Sequence, residues 1–145
     1  AMTCLSKGLG CPVGSLVASS SERIEKARRA RKLLGGGMRQ AGVLAAAGLV
    51  ALDDAIPRLA EDHAHARRLA EALAQGRDIR VTPPRTNIVV AALDGRSAPE
   101  VAAALAEQGV LTIAMDGRTL RLVTHRDVSE EDCGRAARVI EGVVG

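Results

Sequence analysis

Residues 110–124 read VLTIAMDGRTLRLVT, and this stretch carries the clearest information about the fold. Two apolar runs, Val110 to Met115 and Thr119 to Thr124, flank the pair Asp116-Gly117. An Asp-Gly pair between β-type segments is typical of a tight turn that joins two antiparallel strands. The stretch therefore predicts a β-hairpin.

Helices are predicted on both sides of this hairpin. Ser97 and Glu100 have capping-box spacing at the start of a helix that extends to about Gln108. Ser129 and Asp132 open a last helix, whose inward residues are predicted to be Cys133, Ala137, Ile140 and Val144.

A strand from Asn87 to Leu93 precedes the first of these helices, and the linker Thr82-Pro83-Pro84 lies before it. The order β-α-β-β-α predicts a compact α/β domain over residues 77–145.

The N-terminal half is mainly helical by its pattern. Ser19 and Glu22 suggest a capping box for a helix that reaches about Leu34 and is stopped by the triplet Gly35-Gly36-Gly37. A second helix, from about Met38 to Leu52, is apolar nearly all round, which predicts burial on several sides. The remaining predictions here are short strands at 3–6 and 13–18, a joint at Asp53-Asp54 and a helix that Gly76 ends.

These patterns predict three parts. Residues 1–52 form one part, residues 53–76 a connecting helix, and residues 77–145 the small α/β domain.

Composition excludes several classes of function. The 145 residues are 47% hydrophobic, which is enough for a folded core, and contain no Phe, Trp or Tyr, so aromatic stacking on nucleic-acid bases is excluded. The net charge of +3 is too small to indicate a nucleic-acid partner. Acidic residues interleave the basic run at 23–32, which is typical of a solvated helix face.

The apolar and cysteine patterns indicate a cytoplasmic protein. The most apolar run, 41–52, has about twelve residues against the roughly twenty that cross a bilayer, so no membrane partner is expected. Three cysteines without a Cys-x-x-Cys pair argue against disulfides and a zinc site. His63 and His65, two positions apart on a helix, face different ways and form no metal pair. Ala1 before Met2 is interpreted as a cloning remnant.

Lys7 is the first candidate for chemistry, within SKGLGCPVGS at residues 6–15. A lysine amine in a glycine-rich loop can form an imine with a phosphorylated aldehyde, and backbone N–H groups can approach the phosphate. The alternative is a solvent-exposed lysine in a turn.

Two arginines are the other candidates. Arg39 follows three glycines at a helix start, a combination that suits phosphate, although a surface arginine in an inter-helix loop has the same pattern. Arg121 points away from the face that holds Leu120 and Leu122, so its guanidinium can hold a carboxylate, or it can lie on a solvated sheet face. His125 ends this strand and is more often a capping or surface histidine.

Together, the motifs SKGLG and PVGS, GGGMRQ at 35–40 and RLVTH at 121–125 resemble the low-specificity L-threonine aldolases over residues 3–145. Those enzymes depend on pyridoxal 5′-phosphate (PLP) and have the aspartate aminotransferase fold, type I. The resemblance implies an α/β fold with part of a large, PLP-binding domain in residues 1–52. It also implies the cleavage of L-threonine or L-allo-threonine to glycine and acetaldehyde. The apolar surface that such a remnant of the large domain would expose predicts a homo-oligomer.

The resemblance also implies roles for the three candidates. Lys7 matches the catalytic Schiff-base lysine that binds PLP. Arg39 matches an arginine that reaches the cofactor phosphate from the neighbouring subunit, and Arg121 matches the arginine that grips the substrate carboxylate.

Family members have a further segment upstream, with a phosphate cradle, a histidine stacked on the ring and an aspartate at the pyridine nitrogen. The chain is therefore expected to be a truncated form that exposes apolar surface and is inactive alone. The alternatives are a non-catalytic remnant or one half of a split PLP enzyme.

Overall fold

A computed structural model describes all residues, 1–145, and divides them into two compact units, 1–57 and 58–145. None of the helices combines the length and the apolar character that crossing a membrane requires. The elements in chain order are β1 (Met2–Cys4), β2 (Ser15–Val17), α1 (Ser21–Leu33), α2 (Gly42–Leu73), β3 (Ile79–Thr82), β4 (Ile88–Leu93), α3 (Ala98–Glu107), β5 (Ile113–Ala114), β6 (Thr119–Val123) and α4 (Glu130–Val144).

The second unit is built on a four-stranded antiparallel sheet in the order β3-β4-β6-β5. One face packs against helices, because alternate residues of the central strand β4, Val89, Ala91 and Leu93, are fully buried. The α/β class and the strands at 88–93 and 119–123 are confirmed. The core also contains residues from four other elements: Leu69 and Leu73 of α2, Leu105 of α3, Leu120 and Leu122 of β6, and Ile140 and Val144 of α4.

The predicted hairpin is present, but its first strand is shorter than expected. The carboxylate of Asp116 accepts hydrogen bonds from the N–H groups of Arg118 and Thr119, at 2.8 and 2.7 Å, and so holds the turn. Only Ile113 and Ala114 pair with β6. The N–H of Val110 instead donates to the carbonyl of Leu105 and closes the end of α3, which removes the start of the predicted strand from the ladder.

Both predicted caps of this unit are confirmed. The Ser97 hydroxyl accepts from the N–H of Glu100, and Ser129 with Asp132 forms a reciprocal capping box. The predicted inward residues of α4 are all buried. The strand β3 was missed, because the charges in Arg77-Asp78-Ile79-Arg80 hide its alternation of half-buried and exposed residues.

The predicted joint at Asp53-Asp54 is wrong, because α2 is one helix of 32 residues. Both aspartates are exposed, so water solvates them without interrupting the helix. The boundary between the units falls after Pro57, where the helix lacks one N–H donor. The helix also ends at Leu73, before Gly76. Gly76 is buried, and a Cβ there would lie 2.5 Å from Ile79 Cδ1.

The first unit contains the antiparallel pair β1-β2, with Met2 opposite Val17, and the helix α1. The predicted capping box at Ser19 is wrong: the N-cap is Ser20, and its side chain makes no capping bond. Burial of the apolar start of α2 on several sides is also wrong, because Val43 and Leu49 are 77% and 65% exposed. The expected exposed apolar surface is thus present.

Candidate functional site

Lys7 lies in the connection between β1 and β2, which backbone hydrogen bonds close into a compact loop. The N–H of Leu5 donates to the backbone carbonyl of Gly14 at 2.9 Å, and the N–H of Cys11 donates to the carbonyl of Leu5 at 3.0 Å. The N–H of Gly10 donates to the backbone carbonyl of Lys7 at 2.8 Å. Gly14 has φ +133, and a Cβ there would lie 3.1 Å from Leu5 Cδ1. The buried side chains of Leu5 and Cys11 anchor the loop, so Lys7 projects from a supported turn.

The amine of Lys7 is exposed and has no hydrogen-bond or ion-pair partner in the chain. Nearby, the sulfur of Cys4 lies 3.3 Å from the hydroxyl oxygen of Ser6. The Ser6 side-chain hydrogen bond lowers the pKa of the Cys4 thiol, with smaller contributions from the Ser6 backbone and the charge of Lys7. The turn therefore presents an uncommitted amine beside a thiol with increased acidity.

Arg39 lies in the turn before α2, exposed and without an acidic partner. The preceding glycines permit a tight chain path after α1. Gly35 has φ +78, and a Cβ at Gly36 would lie 2.6 Å from Arg31 Cγ. Arg39 and Lys7 belong to the same unit, and no hydrogen bond joins them.

Arg121 occupies the middle of β6 in the second unit. It pairs across the sheet with Val90 of β4 and Ile113 of β5, on the face opposite the core. Its side chain is half-buried and makes no ion pair, whereas Leu120 and Leu122 are buried, as the alternation predicted. An unpaired guanidinium between two aliphatic residues on a paired strand can receive a planar carboxylate.

A polar cluster that sequence reasoning missed holds the end of this strand. The Thr124 hydroxyl donates to the carbonyl of Asp62 at 2.6 Å, and the Thr124 N–H donates to the carbonyl of Asn87 at 3.0 Å. The Asn87 amide returns a hydrogen bond to the carbonyl of Thr124 at 2.7 Å. The cluster ties β6 to β4 and α2 three residues beyond Arg121. Its members are ordinary polar residues far apart in sequence, so no local pattern indicates it.

The buried carboxylate of Asp62 belongs to the same cluster. Its Oδ1 accepts from Arg58 at 3.1 Å, while its Oδ2 is buried without a partner. The histidines play no part in it. His125 Nδ1 accepts from the N–H of Asp127 at 3.3 Å, which fits its predicted capping role. No group of side chains in the chain is arranged to hold a metal ion.

Known proteins are similar to this chain over most of its length. The model of the beta-eliminating lyase family matches residues 1–95. Low-specificity L-threonine aldolase 1 of Arabidopsis thaliana is 45% identical over 134 residues, which are 89% of this chain and 37% of the relative. The low specificity L-threonine aldolase of Escherichia coli (strain K12) is 44% identical over 135 residues, 92% of this chain and 39% of the relative. The chain thus spans less than two fifths of these relatives.

Solved structures support the same fold. An aminotransferase from Streptoalloteichus hindustanus aligns with a TM-score of 0.73 at 20% identity, over 94% of this chain and 49% of that one. An α-aminoadipate aminotransferase from Thermus thermophilus, complexed with N-(5′-phosphopyridoxyl)-L-leucine, aligns with a TM-score of 0.60 at 20% identity, over 98% and 42%. The predicted resemblance to PLP enzymes of fold type I is confirmed at the level of the fold. Since the family match covers both the Lys7 loop and the first two strands of the sheet, the chain belongs to the beta-eliminating lyase family.

Proposed function

We propose that this chain supplies the cofactor lysine, the phosphate-binding arginine and the carboxylate-binding arginine of a PLP-dependent threonine aldolase. The reaction is the cleavage of L-threonine or L-allo-threonine to glycine and acetaldehyde. The observation that carries the proposal is the 45% identity to a low-specificity L-threonine aldolase over 134 residues. Because the chain spans only part of that relative, the activity is assigned to the complete active site.

The residues present fit PLP, which carries an aldehyde and a phosphate. Lys7 offers an exposed amine that no acidic group engages, so it is free to attach the aldehyde carbon. Arg39, also unpaired, offers a guanidinium of the right charge for the phosphate. When bound, PLP supplies the electron sink for carbon–carbon bond cleavage.

Arg121 would hold the carboxylate of the amino-acid substrate. Its guanidinium is planar and always charged, so two parallel hydrogen bonds to a carboxylate fix orientation as well as position. A paired strand limits its movement, because the backbone of Arg121 pairs with Val90 on one side and Ile113 on the other. Fixing the orientation of the bond that is to be broken contributes a large part of the rate enhancement in such reactions.

The isolated 145 residues are expected to be inactive or nearly so. Residues 1–57 contain no histidine, and their aspartates, Asp53 and Asp54, are exposed on α2. Removal of positioned polar groups lowers the rate by orders of magnitude. The second candidate is a non-catalytic fragment or one half of a split enzyme. The exposure of Val43 and Leu49 favours the split enzyme, because such surfaces normally contact other protein.

The test is site-specific attachment of PLP. PLP is added to the purified chain, the adduct is reduced with borohydride, and labelled peptides are quantified by mass spectrometry. Before reduction, the visible absorbance of the lysine adduct should be lost in Lys7→Ala and retained in Lys32→Ala. After reduction, we expect the label at Lys7. Lys32 is a matched control, because it is an exposed lysine of the same unit without an ion pair. Equal labelling of Lys7, Lys26 and Lys32 would contradict the proposed cofactor site.

The activity is tested separately by glycine release from L-threonine and L-allo-threonine in the presence of PLP. The chain alone is compared with the chain mixed with the upstream part of a threonine aldolase. Glycine release that only the mixture shows, and that Arg121→Gln abolishes, supports the proposal. Turnover by the chain alone would overturn the expectation of inactivity.

We further propose that the protein is a cytoplasmic homo-oligomer. The exposed apolar side chains of the first unit favour self-association, and three free cysteines suit a reducing compartment. Light scattering at micromolar concentration tests the assembly, and a sharply monomeric species would contradict it.

A further inference from the structure

We propose that a pocket in the second unit binds a small aliphatic α-amino acid. The pocket lies where β6 ends and α4 begins, beside the loop that follows α3. Its volume is about 360 Å³. That volume is within the range of about 300–1,000 Å³ that is usual for small-molecule sites. It uses none of the residues proposed for the aldolase reaction, and so stands independently of that function.

The inner wall of the pocket is aliphatic. Leu69 and Leu122 are buried core residues, and the half-buried Val128 and Ala136 continue the same surface. The chain contains no Phe, Trp or Tyr, and the one imidazole at the pocket, that of His125, lies with Asp127 at the rim and not in the aliphatic wall. Branched alkyl groups fit such a wall by dispersion contacts and by release of water. The wall therefore selects an aliphatic side chain.

Arg135 supplies a positive charge at the rim. Its guanidinium lies close to Gly109, where a Cβ would be 3.6 Å from Nη1. It forms no ion pair in the chain. The nearby Asp132 is already engaged, because its Oδ2 accepts from the Ser129 hydroxyl at 2.6 Å and from the Ser129 N–H at 3.2 Å. The charge of Arg135 acts on the Asp132 carboxylate, but no hydrogen bond or ion pair joins the two side chains, so the N–H groups of Arg135 are available to a ligand carboxylate.

Asp127 supplies the opposite charge on the same rim. Its Oδ2 lies 3.5 Å from His125 Nδ1, and its side chain is 80% exposed. Its other carboxylate oxygen has no partner. A free guanidinium and a free carboxylate oxygen around an aliphatic wall match the carboxylate, ammonium and side chain of a zwitterionic amino acid. An α-keto acid with the same side chain would leave the Asp127 contact unused.

The experiment is a titration of the whole chain, methyl-labelled at Leu and Val, with L-leucine, followed by NMR. The Arg121→Gln background removes the proposed carboxylate grip of the aldolase site. We expect saturable shifts of the methyl groups of Leu69, Leu122 and Val128. Arg135→Gln should weaken binding by about tenfold or more, because it removes a hydrogen bond between charged groups. Arg138→Gln, an exposed change on the same helix away from the pocket, should leave binding unchanged.

A second pair of titrations tests the ammonium contact. Asp127→Asn should weaken L-leucine binding several-fold, and 4-methyl-2-oxopentanoate should bind the parent chain correspondingly more weakly. The proposal is overturned if L-leucine causes no saturable shifts at these methyl groups or if Arg135→Gln binds as tightly as the parent. It is also overturned if the keto acid binds as tightly as leucine. Since Arg135 and Asp127 are exposed, both variants should fold, which the unchanged spectrum of the core methyl groups will verify.

Discussion

The two units of the chain differ in how completely they bury their own apolar residues. The second unit has eighteen buried core residues, which come from both its helices and its sheet. The first has three: Leu5, Cys11 and Ala51. The same helix, α2, contributes to both, yet Leu69 and Leu73 are buried near its end while Val43 and Leu49 are exposed near its start. Burial is thus decided by what packs against a helix and not by its hydrophobicity.

The strongest test of this difference is a pair of leucine truncations. Leu105→Ala, in the core of the second unit, should lower the free energy of unfolding by about 2–5 kcal/mol, because it leaves a cavity. Leu49→Ala, at an exposed position of the first unit, should change it by less than about 0.5 kcal/mol. Urea unfolding followed by circular dichroism measures both. Similar losses in the two variants would mean that the first unit has a core of comparable quality.

A smaller effect is expected from the polar cluster at the end of β6. Thr124→Val keeps the shape but removes the hydroxyl that donates to the Asp62 carbonyl, which should cost about 1–2 kcal/mol. Thr124→Ser retains the donor and should recover most of this loss. The same urea titrations measure it, and equal stability of the valine and serine variants would show that the hydrogen bond is unimportant.

The helix N-caps offer a further comparison of the two units, since loss of a capping hydrogen bond lowers stability by about 1 kcal/mol. Ser129→Ala removes a capping box from α4 in the second unit and should cost about 1 kcal/mol. Ser20→Ala, at the N-cap of α1 in the first unit, removes no capping hydrogen bond and should have little effect. Helical content during urea unfolding reports both changes, and a larger loss in Ser20→Ala would contradict the described caps.

Cysteine reactivity should separate the units without a change in stability. Hydrogen bonds from Ser6 lower the pKa of the Cys4 thiol, whereas burial raises the pKa of the Cys133 thiol. Alkylation requires the thiolate, so Cys4 should react first and its rate should rise at a lower pH than that of an ordinary thiol. Cys133 should react only when the second unit unfolds. Iodoacetamide labelling with peptide mass spectrometry measures the two rates.

The Ser6→Ala variant is the control for this experiment. Loss of the hydroxyl should raise the pKa of the Cys4 thiol towards its usual value and slow its alkylation near neutral pH. The Cys133 rate should not change. If Cys4 in the variant reacted as fast as before, the Ser6 hydrogen bond would not be the cause of its reactivity.

Elements with local signals were predictable. The Asp116-Gly117 turn, the caps at Ser97 and Ser129, and the inward face of α4 were all recognised, because each depends on residues within four positions of one another. Several helix boundaries were not. The pair Asp53-Asp54 resembles a helix end in the sequence, because the sequence does not show that both side chains are exposed and leave α2 uninterrupted. At the start of α1, Ser19 and Ser20 are both suitable N-cap residues, and the structure has Ser20 there.

The candidate residues were found by motif, while their surroundings required the folded chain. The sequence placed Lys7 in a glycine-rich loop and Arg121 opposite Leu120 and Leu122 on a strand, and both placements agree with the structure. The cluster of Asp62, Asn87 and Thr124 has no local signal, since its members are separated by 25 and 37 residues in the chain.

By itself, the amino-acid sequence determined the family and the α/β class. It also determined the tight turn, the helix caps and the strand faces, because these depend on short-range spacing. Only the tertiary structure decided which apolar residues are buried and which charges are left without partners. Burial and charge pairing depend on groups distant in the chain, which local periodicity does not encode.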